Sequence, residues 1–182
     1  KFPASWDKPI ISVSKGIEHQ TGLRMTQVIS DVLDISMDNV LALSGPSHAE
    51  EVVQRHPCAI VSASTSKEYA QKIQKIFSNE NFRVYTSTDV VGVEIGGAAK
   101  NIIAIAAGIC HGLGLGDNTM AALVTRGLEE ITRLGLDLGA DRATFSGLSG
   151  LGDLVVTAFS VHSRNRQVGV RIGKGEKLQD II

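Results

Sequence analysis

The chain has 182 residues, of which 43% are hydrophobic and 20% are charged, and its formal net charge is −1. This composition is typical of a globular protein with a buried core, and the length suits one large domain or parts of two. Basic and acidic residues are interspersed, which argues against a nucleic-acid or anionic-membrane surface. Cys58 and Cys110 lie far apart without paired histidines, so we expect free thiols in a reducing compartment and no metal site.

The first half of the chain alternates short apolar runs with segments of helical periodicity. Four apolar runs are predicted to be strands, at residues 10–13, 40–43, 59–63 and 83–86. Residues 23–33 and 69–77 carry apolar side chains at helical spacing, with Ile73, Ile76 and Phe77 on one face. The capping-box pattern at residues 65–68 predicts where the second of these helices begins. Strands that alternate with helices indicate an α/β layer architecture.

After about residue 89 the pattern predicts helices only. The first helix covers residues 90–110, and a glycine-rich linker then leads to a predicted cap at Asp117 or Asn118. We expect the next helix to end at Gly135 and Asp141 to cap a third, short helix. The predicted fold class is therefore α/β followed by all-α. The apolar positions of the second helix have a period of 3.6 residues: Met120, Leu123, Val124, Leu128 and Ile131.

The sequence shows no sign of secretion or membrane insertion. Residues 1–9 lack an apolar segment followed by a small-residue cleavage site, and the longest uncharged run, residues 101–116, is too short for a membrane span. We therefore expect a cytoplasmic protein.

Lys100 is the only charged residue between Ile95 and Cys110, in a segment whose other residues are typical of a protein interior. A buried, unpaired ammonium is costly, so this lysine is expected to have a partner or a chemical role. Gly96 and Gly97 precede it by one helical turn and leave a surface without Cβ atoms, to which another group could come close. Burial would also lower the lysine pKa toward neutral pH. The alternative is a lysine that extends its ammonium to solvent.

Two glycine clusters, at residues 112–116 and 147–152, have a superficial likeness to nucleotide-binding loops. A dinucleotide-binding fingerprint needs G-x-G-x-x-G directly after a strand and at the start of a helix, and neither cluster has that context. We therefore predict tight turns between packed helices.

Ser163, Arg164 and Asn165 place a hydroxyl, a guanidinium and an amide side by side. Such a set suits a phosphate, because arginine offers a rigid fork of donors and the other two add neutral donors. The alternative is a solvated basic turn. Asp153 fits either a helix cap or a carboxylate that faces a site.

Four segments carry a resemblance to a known family. LSGPSHAEEV at 43–52, EIGGAAKNIIAIAAGICHGLGLGDN at 94–118, GLSGLGDL at 147–154 and SRNRQVG at 163–169 closely resemble NAD(P)-dependent glycerol-3-phosphate dehydrogenases. The segments occur in the family's order and spacing, and G-P-S followed by A is closer to the bacterial-type enzymes than to the animal ones.

The resemblance implies an oxidoreductase that uses NAD or NADP to interconvert dihydroxyacetone phosphate and sn-glycerol 3-phosphate for glycerophospholipid synthesis. It implies the C-terminal part of a Rossmann-like cofactor-binding domain at residues 1–88 and an incomplete helical substrate-binding domain at 89–182. The only partner it implies is the small-molecule substrate, and a homodimer is left open.

The resemblance also assigns residues to the site. It gives catalytic roles to Lys100 as general acid/base, Lys15, Asp153 and Asn101. It gives cofactor contacts to Lys15, Ala49 and Arg164. It gives substrate contacts to Lys15, Gly45, Ser47, Lys100, Asp153, Thr157, Ser163, Arg164 and Asn165.

Lys100, Lys15, Asp153 and Arg164 are predicted to converge on one cleft, although they are far apart in sequence. Two lysines in one site would lower each other's pKa, and Asp153 would hold the ammonium in place.

The chain also departs from the family, whose members begin with a strand and G-x-G-x-x-G/A. That fingerprint has no counterpart here, so we expect a fragment of a longer protein, with the residue that selects NAD or NADP outside it. Two other interpretations stay open. A related hydroxyacid dehydrogenase would use a helix-borne lysine and asparagine but would not need the phosphate contacts at residues 163–165. A fragment without catalytic activity would serve only as a folding or association unit.

Overall fold

A computed structural model describes residues 8–181. Within this range four strands form one sheet in the order β1–β2–β3–β4. β1 runs parallel to β2, β2 antiparallel to β3, and β3 parallel to β4. All four strands were predicted, each to within one residue at either end. Their bounds are Ile10–Ser12 (β1), Val40–Ser44 (β2), Cys58–Ala63 (β3) and Phe82–Ser87 (β4).

Three helices accompany the sheet: α1 at Met25–Leu33, α2 at Ala49–Val53 and α3 at Lys67–Phe77. The predicted start of α3 is wrong by one residue. Ser66 is the N-cap, since its hydroxyl accepts a hydrogen bond from the Tyr69 N–H.

The predicted apolar face of α3 is only partly buried. Ile73 is 3% exposed and packs with Ile60 and Val84 of the sheet. Ile76 and Phe77 in the last turn stay 64% and 39% exposed, because no described element covers that turn.

The side chains of β2 point alternately to the two faces of the sheet and pack against a different helix on each face. Leu41 and Leu43 pack with Ile73 of α3, whereas Ala42 points the other way and packs with Val93. Val93 belongs to α4, the first helix of the second half of the chain. This helix is therefore part of the sheet's core as well as of the helical region.

In the part of the chain that the structure describes, only helical elements follow the sheet, as predicted. The main helices are α4 at Val90–Gly112, α5 at Asp117–Asp137, α6 at Arg142–Phe145, α7 at Asp153–Phe159 and α8 at Arg164–Gly173. A π-helical turn at Leu148–Gly152 leads directly into α7, and short 3₁₀ helices lie at Met37–Asn39 and Leu178–Asp180. Cys58 and Cys110 are free thiols, as expected.

Two predicted ends of α5 are wrong. Gly116, not Asp117 or Asn118, is the N-cap residue. Gly135 lies inside the helix, where a Cβ atom would come within 2.1 Å of the Phe145 ring, so this glycine permits close packing instead of ending α5. The predicted cap of α6 is confirmed, because the Asp141 carboxylate accepts the Ala143 N–H at 3.0 Å.

The two glycine clusters combine turns with close packing. Gly114 has a φ of +72° and lies in the turn before α5, as predicted. Gly112 and Gly150 instead face backbone atoms, since a Cβ atom would lie 2.4 Å from the Val170 oxygen or 2.2 Å from the Phe145 oxygen. Part of each cluster therefore serves helix packing, which glycine spacing alone does not distinguish from a turn.

By length and composition α4 could cross a membrane, but 56% of its most apolar window is buried inside the fold. The core helix of a globular protein has the same properties. A second segment, α6 to α8, passes the same test only if its bent helices are counted as one span.

Candidate active site

Lys100 lies on α4 and is 6% exposed. Its ammonium donates hydrogen bonds to Asp153 Oδ1 and, at 2.7 Å, to Thr157 Oγ1. Asp153 and Thr157 are one turn apart on α7, so their side chains share a face, and both are buried. The lysine therefore has internal partners and does not extend to solvent. The predicted proximity of Lys100 and Asp153 is confirmed.

A second lysine shares the same carboxylate. Lys15, in the loop between β1 and α1, places its Nζ 2.5 Å from Asp153 Oδ2, and its side chain is 27% exposed. The stem of Lys15 crosses α4 at Gly97, where a Cβ atom would lie 3.5 Å from the lysine Cγ and Cδ and 2.9 Å from Ser44 Oγ. The group that comes close to the glycine surface of α4 is therefore the second lysine. Asp153 bridges two ammonium groups with one oxygen each.

Burial is the main cause of a lowered Lys100 pKa, which falls from 10.5 to about 8. The Asp153 carboxylate opposes this change, and the positive charge of Lys15 adds to it. Both causes were expected from the sequence, burial and the charge of the second lysine, and burial is the larger of the two. A lysine with this pKa is present as both ammonium and amine near neutral pH, which suits a group that gives and takes a proton.

The turn after β2 forms one wall beside the lysines. Gly45 has a φ of +146°, and a Cβ atom there would lie 2.9 Å from the Ile60 Cα. Ser47 and Ala49 follow and line, together with Lys15, a depression of about 240 Å³. The depression lies at the carboxyl ends of β1 and β2, where open α/β sheets bind ligands.

The predicted phosphate contacts lie at the start of α8. Ser163 is its N-cap and accepts the Arg166 N–H at 3.2 Å. Arg164 is exposed and Asn165 is partly buried. Among residues 8–181, Arg164, Asn165 and the partly buried Asn101 make no described hydrogen bond or ion pair with the cluster around Asp153. Their convergence on it stays a prediction.

His48 and His162 join the two loops that carry predicted ligand contacts. Their ring centroids are 5.9 Å apart. His48 directly follows Ser47 and precedes α2, and His162 directly precedes Ser163. Neither histidine was predicted as a site residue, because nothing in their spacing shows that the loops meet.

A second buried ion cluster was also missed. Glu94 of α4 is 7% exposed, and its carboxylate accepts the Thr26 N–H at 2.9 Å, the Thr26 hydroxyl at 2.6 Å and a guanidinium N–H of Arg24. The available signal was a carboxylate in an otherwise apolar stretch, one turn before Gly97.

Comparison with known proteins agrees with this architecture, an α/β sheet continued by helices. The sequence-family model of the NAD-dependent glycerol-3-phosphate dehydrogenase C-terminus matches residues 89–182, and the family model of the N-terminus matches residues 4–70. The chain therefore belongs to the NAD-dependent glycerol-3-phosphate dehydrogenase family.

Individual relatives support the same assignment. The chain is 60% identical over 171 residues to a glycerol-3-phosphate dehydrogenase [NAD(P)+] of Carboxydothermus hydrogenoformans, a match that covers 94% of the chain and 51% of the relative. It is 57% identical to the glycerol-3-phosphate dehydrogenase [NAD(P)+] of Bacillus pumilus, a match that covers 96% of the chain and 51% of the relative. The crystal structure of the Coxiella burnetii glycerol-3-phosphate dehydrogenase superimposes on the chain with a TM-score of 0.89 at 38% identity. The match covers 95% of the chain and 52% of that structure. The chain thus spans about half the length of the curated relatives it matches.

Proposed function

We propose that this chain carries the proton-transfer site of an NAD(P)-dependent glycerol-3-phosphate dehydrogenase, which interconverts dihydroxyacetone phosphate and sn-glycerol 3-phosphate. The observation that carries the proposal is the buried Lys100, whose pKa is lowered to about 8 and whose ammonium is held by Asp153 and Thr157. The names of the relatives supply the substrate pair. We assign residues 1–88 to the cofactor-binding unit and residues 89–182 to the helical substrate-binding unit.

In this proposal Lys100 handles the proton at the C2 oxygen. Reduction of a ketone leaves a developing alkoxide, and the Lys100 ammonium would both stabilise that charge and donate the proton. In the reverse direction the amine would accept it. The nicotinamide, when bound, supplies or accepts the hydride. Lys15 adds a second positive charge beside the alkoxide, and Asp153 and Thr157 keep the Lys100 Nζ in one position.

The residues present fit one part of a dinucleotide site. The depression beside Lys15 has an apolar floor, a cationic edge and a buried Ser44 hydroxyl that has no hydrogen-bond partner among the described residues. Lys15, Ala49 and Arg164 would hold the cofactor. Gly45 and Ser47 would contact the substrate on the same side.

The start of α8 fits the substrate phosphate. The first N–H groups of a helix have no partner within the helix and favour an anion, and the exposed Arg164 adds a charged fork to them. Binding the phosphate there, with Asn165 as a neutral donor, would fix the distance from this anchor to the reacting carbon.

We also propose that the enzyme works in the cytoplasm and supplies sn-glycerol 3-phosphate for glycerophospholipids. Its family membership supports both statements.

The test is Lys100→Ala in the full-length protein, assayed with dihydroxyacetone phosphate. Loss of the proton donor should lower kcat by about 10²- to 10⁴-fold and change KM much less. Lys174→Ala is a matched control, because this lysine follows α8 and is exposed. Near-normal turnover of Lys100→Ala would make Lys100 a structural residue. Preference for an unphosphorylated ketone would instead indicate a hydroxyacid dehydrogenase.

A further inference from the structure

Glu94 of α4 caps a helix that is distant in sequence. Thr26 lies in the first turn of α1, where backbone N–H groups have no partner within the helix. The Glu94 carboxylate accepts this N–H at 2.9 Å and the Thr26 hydroxyl at 2.6 Å. A negative charge at this end of a helix is also favourable to its dipole. Glu94 therefore fixes the start of α1 against α4.

The same carboxylate holds the base of the loop that carries Lys15. Arg24 directly precedes α1 and donates a guanidinium N–H to Glu94 Oε2. Its backbone pairs with Ile17 in an antiparallel bridge, and the Glu18 N–H donates to the Leu23 oxygen at 2.9 Å. Residues 17–24 thus form a closed hairpin whose base is attached to α4 through Arg24. Lys15 lies two residues before this base.

The spacing along α4 connects the attachment to Lys15 itself. Glu94 and Gly97 are three residues apart and so lie on one face of the helix. At the first position the helix binds the base of the hairpin, and one turn later it receives the Lys15 stem. We propose that Glu94 is a positioning residue, which acts through Arg24 to hold Lys15 over Gly97 and against Asp153.

The side chain of Lys15 needs such support. A lysine has a flexible stem and no rigid fork of donors, so the position of its backbone decides whether the ammonium reaches a given carboxylate. Its side chain is 27% exposed, and the one hydrogen bond described for it within residues 8–181 is to Asp153. If the hairpin lost its attachment, Lys15 could turn to solvent.

The consequence can be measured at Lys100. The charged groups that act on Lys100 are Asp153 of α7 and Lys15 of the loop, and Lys15 lowers its pKa. Any change that moves Lys15 away from Asp153 should therefore raise the pKa of Lys100. This readout needs neither cofactor nor turnover.

The experiment is an NMR titration of Lys100 in the full-length protein without ligands, with ¹³C-labelled lysine. Lys15→Met and Glu94→Gln should both move the Lys100 titration to higher pH, by equal amounts. The two changes combined should move it no further than either alone, because both remove the same effect. Ser66→Ala is the control: it removes the N-cap of α3 at a site without contact to Lys15, and should leave the titration unchanged.

A second variant covers the case in which Glu94→Gln does not fold, since it leaves the Arg24 charge partly buried and unpaired. Glu94→Gln combined with Arg24→Met removes both charges, a replacement that buried pairs often tolerate. An unshifted Lys100 titration in either folded Glu94 variant, or in Lys15→Met, would overturn the proposal. The inference rests on the proposed function only for the catalytic meaning of Lys15. The turnover of Lys100→Ala tests that function separately.

Discussion

Two buried ion clusters lie along α4, and they differ in the kind of cation. At the first, Glu94 faces Arg24, whose guanidinium stays charged at any pH that a protein meets. At the second, Asp153 faces two lysines, of which Lys100 has a pKa lowered to about 8. An arginine cluster can fix elements in place but cannot exchange a proton near neutral pH. A lysine cluster of similar burial can do both.

Among the changes considered for these two clusters, removal of the carboxylate that both lysines share should have the largest effect on the protein. Asp153→Asn leaves the buried Lys100 ammonium, and the partly exposed Lys15 ammonium beside it, without their counter-charge, so the free energy of unfolding should fall by about 3–5 kcal/mol. Urea denaturation measures this change. A loss below 1 kcal/mol would contradict the shared-carboxylate description.

The same variant should change the pH dependence of ketone reduction. Asp153 raises the pKa of Lys100, so its loss should lower that pKa further below 8. Reduction needs the ammonium, and its rate falls as pH rises through the pKa. The fall should therefore begin at a lower pH in Asp153→Asn than in the unchanged protein. A shift toward higher pH would show that another group controls the profile.

A smaller effect is expected at the phosphate end of the site. Arg164→Ala should raise KM for dihydroxyacetone phosphate by about ten- to a hundredfold, since a charge-assisted contact contributes about 1.5–3 kcal/mol. The KM for an unphosphorylated analogue should hardly change in Arg164→Ala. Arg171→Ala on the same helix is the control, because Arg171 pairs with Glu176 at the far end of α8. An equal rise in KM for both ketones would contradict the assignment of Arg164 to the substrate phosphate.

The sequence predicted the elements better than their contacts. The strands followed from apolar runs, and Lys100 was conspicuous as one charge in an apolar helix. Gly135 was misassigned as a helix end because its role depends on Phe145, ten residues further along the chain. Ile76 and Phe77 fit a buried periodicity, but their exposure is decided by what covers the last turn of α3.

Within the site, the family resemblance assigned residues to roles that their spacing in the sequence could not reveal. The bridge from Asp153 to both lysines joins three distant segments, and only the fold brings them together. The Glu94–Arg24 cluster was missed for the same reason, since its partners are 70 residues apart. Local pattern identifies which charges are unusual, whereas tertiary structure decides which charges are paired.

The proposed proton transfer depends on a buried Lys100 whose pKa is lowered to about 8. Its pKa can be measured directly, by following its ¹³Cε shift with pH in selectively labelled full-length protein and assigning the signal by its loss in Lys100→Met. We predict a titration near pH 8, well below the ordinary 10.5 of a lysine. A midpoint at or above 10.5 would show that the Asp153 carboxylate outweighs burial, and Lys100 would then lack the pKa on which the proposed proton transfer depends.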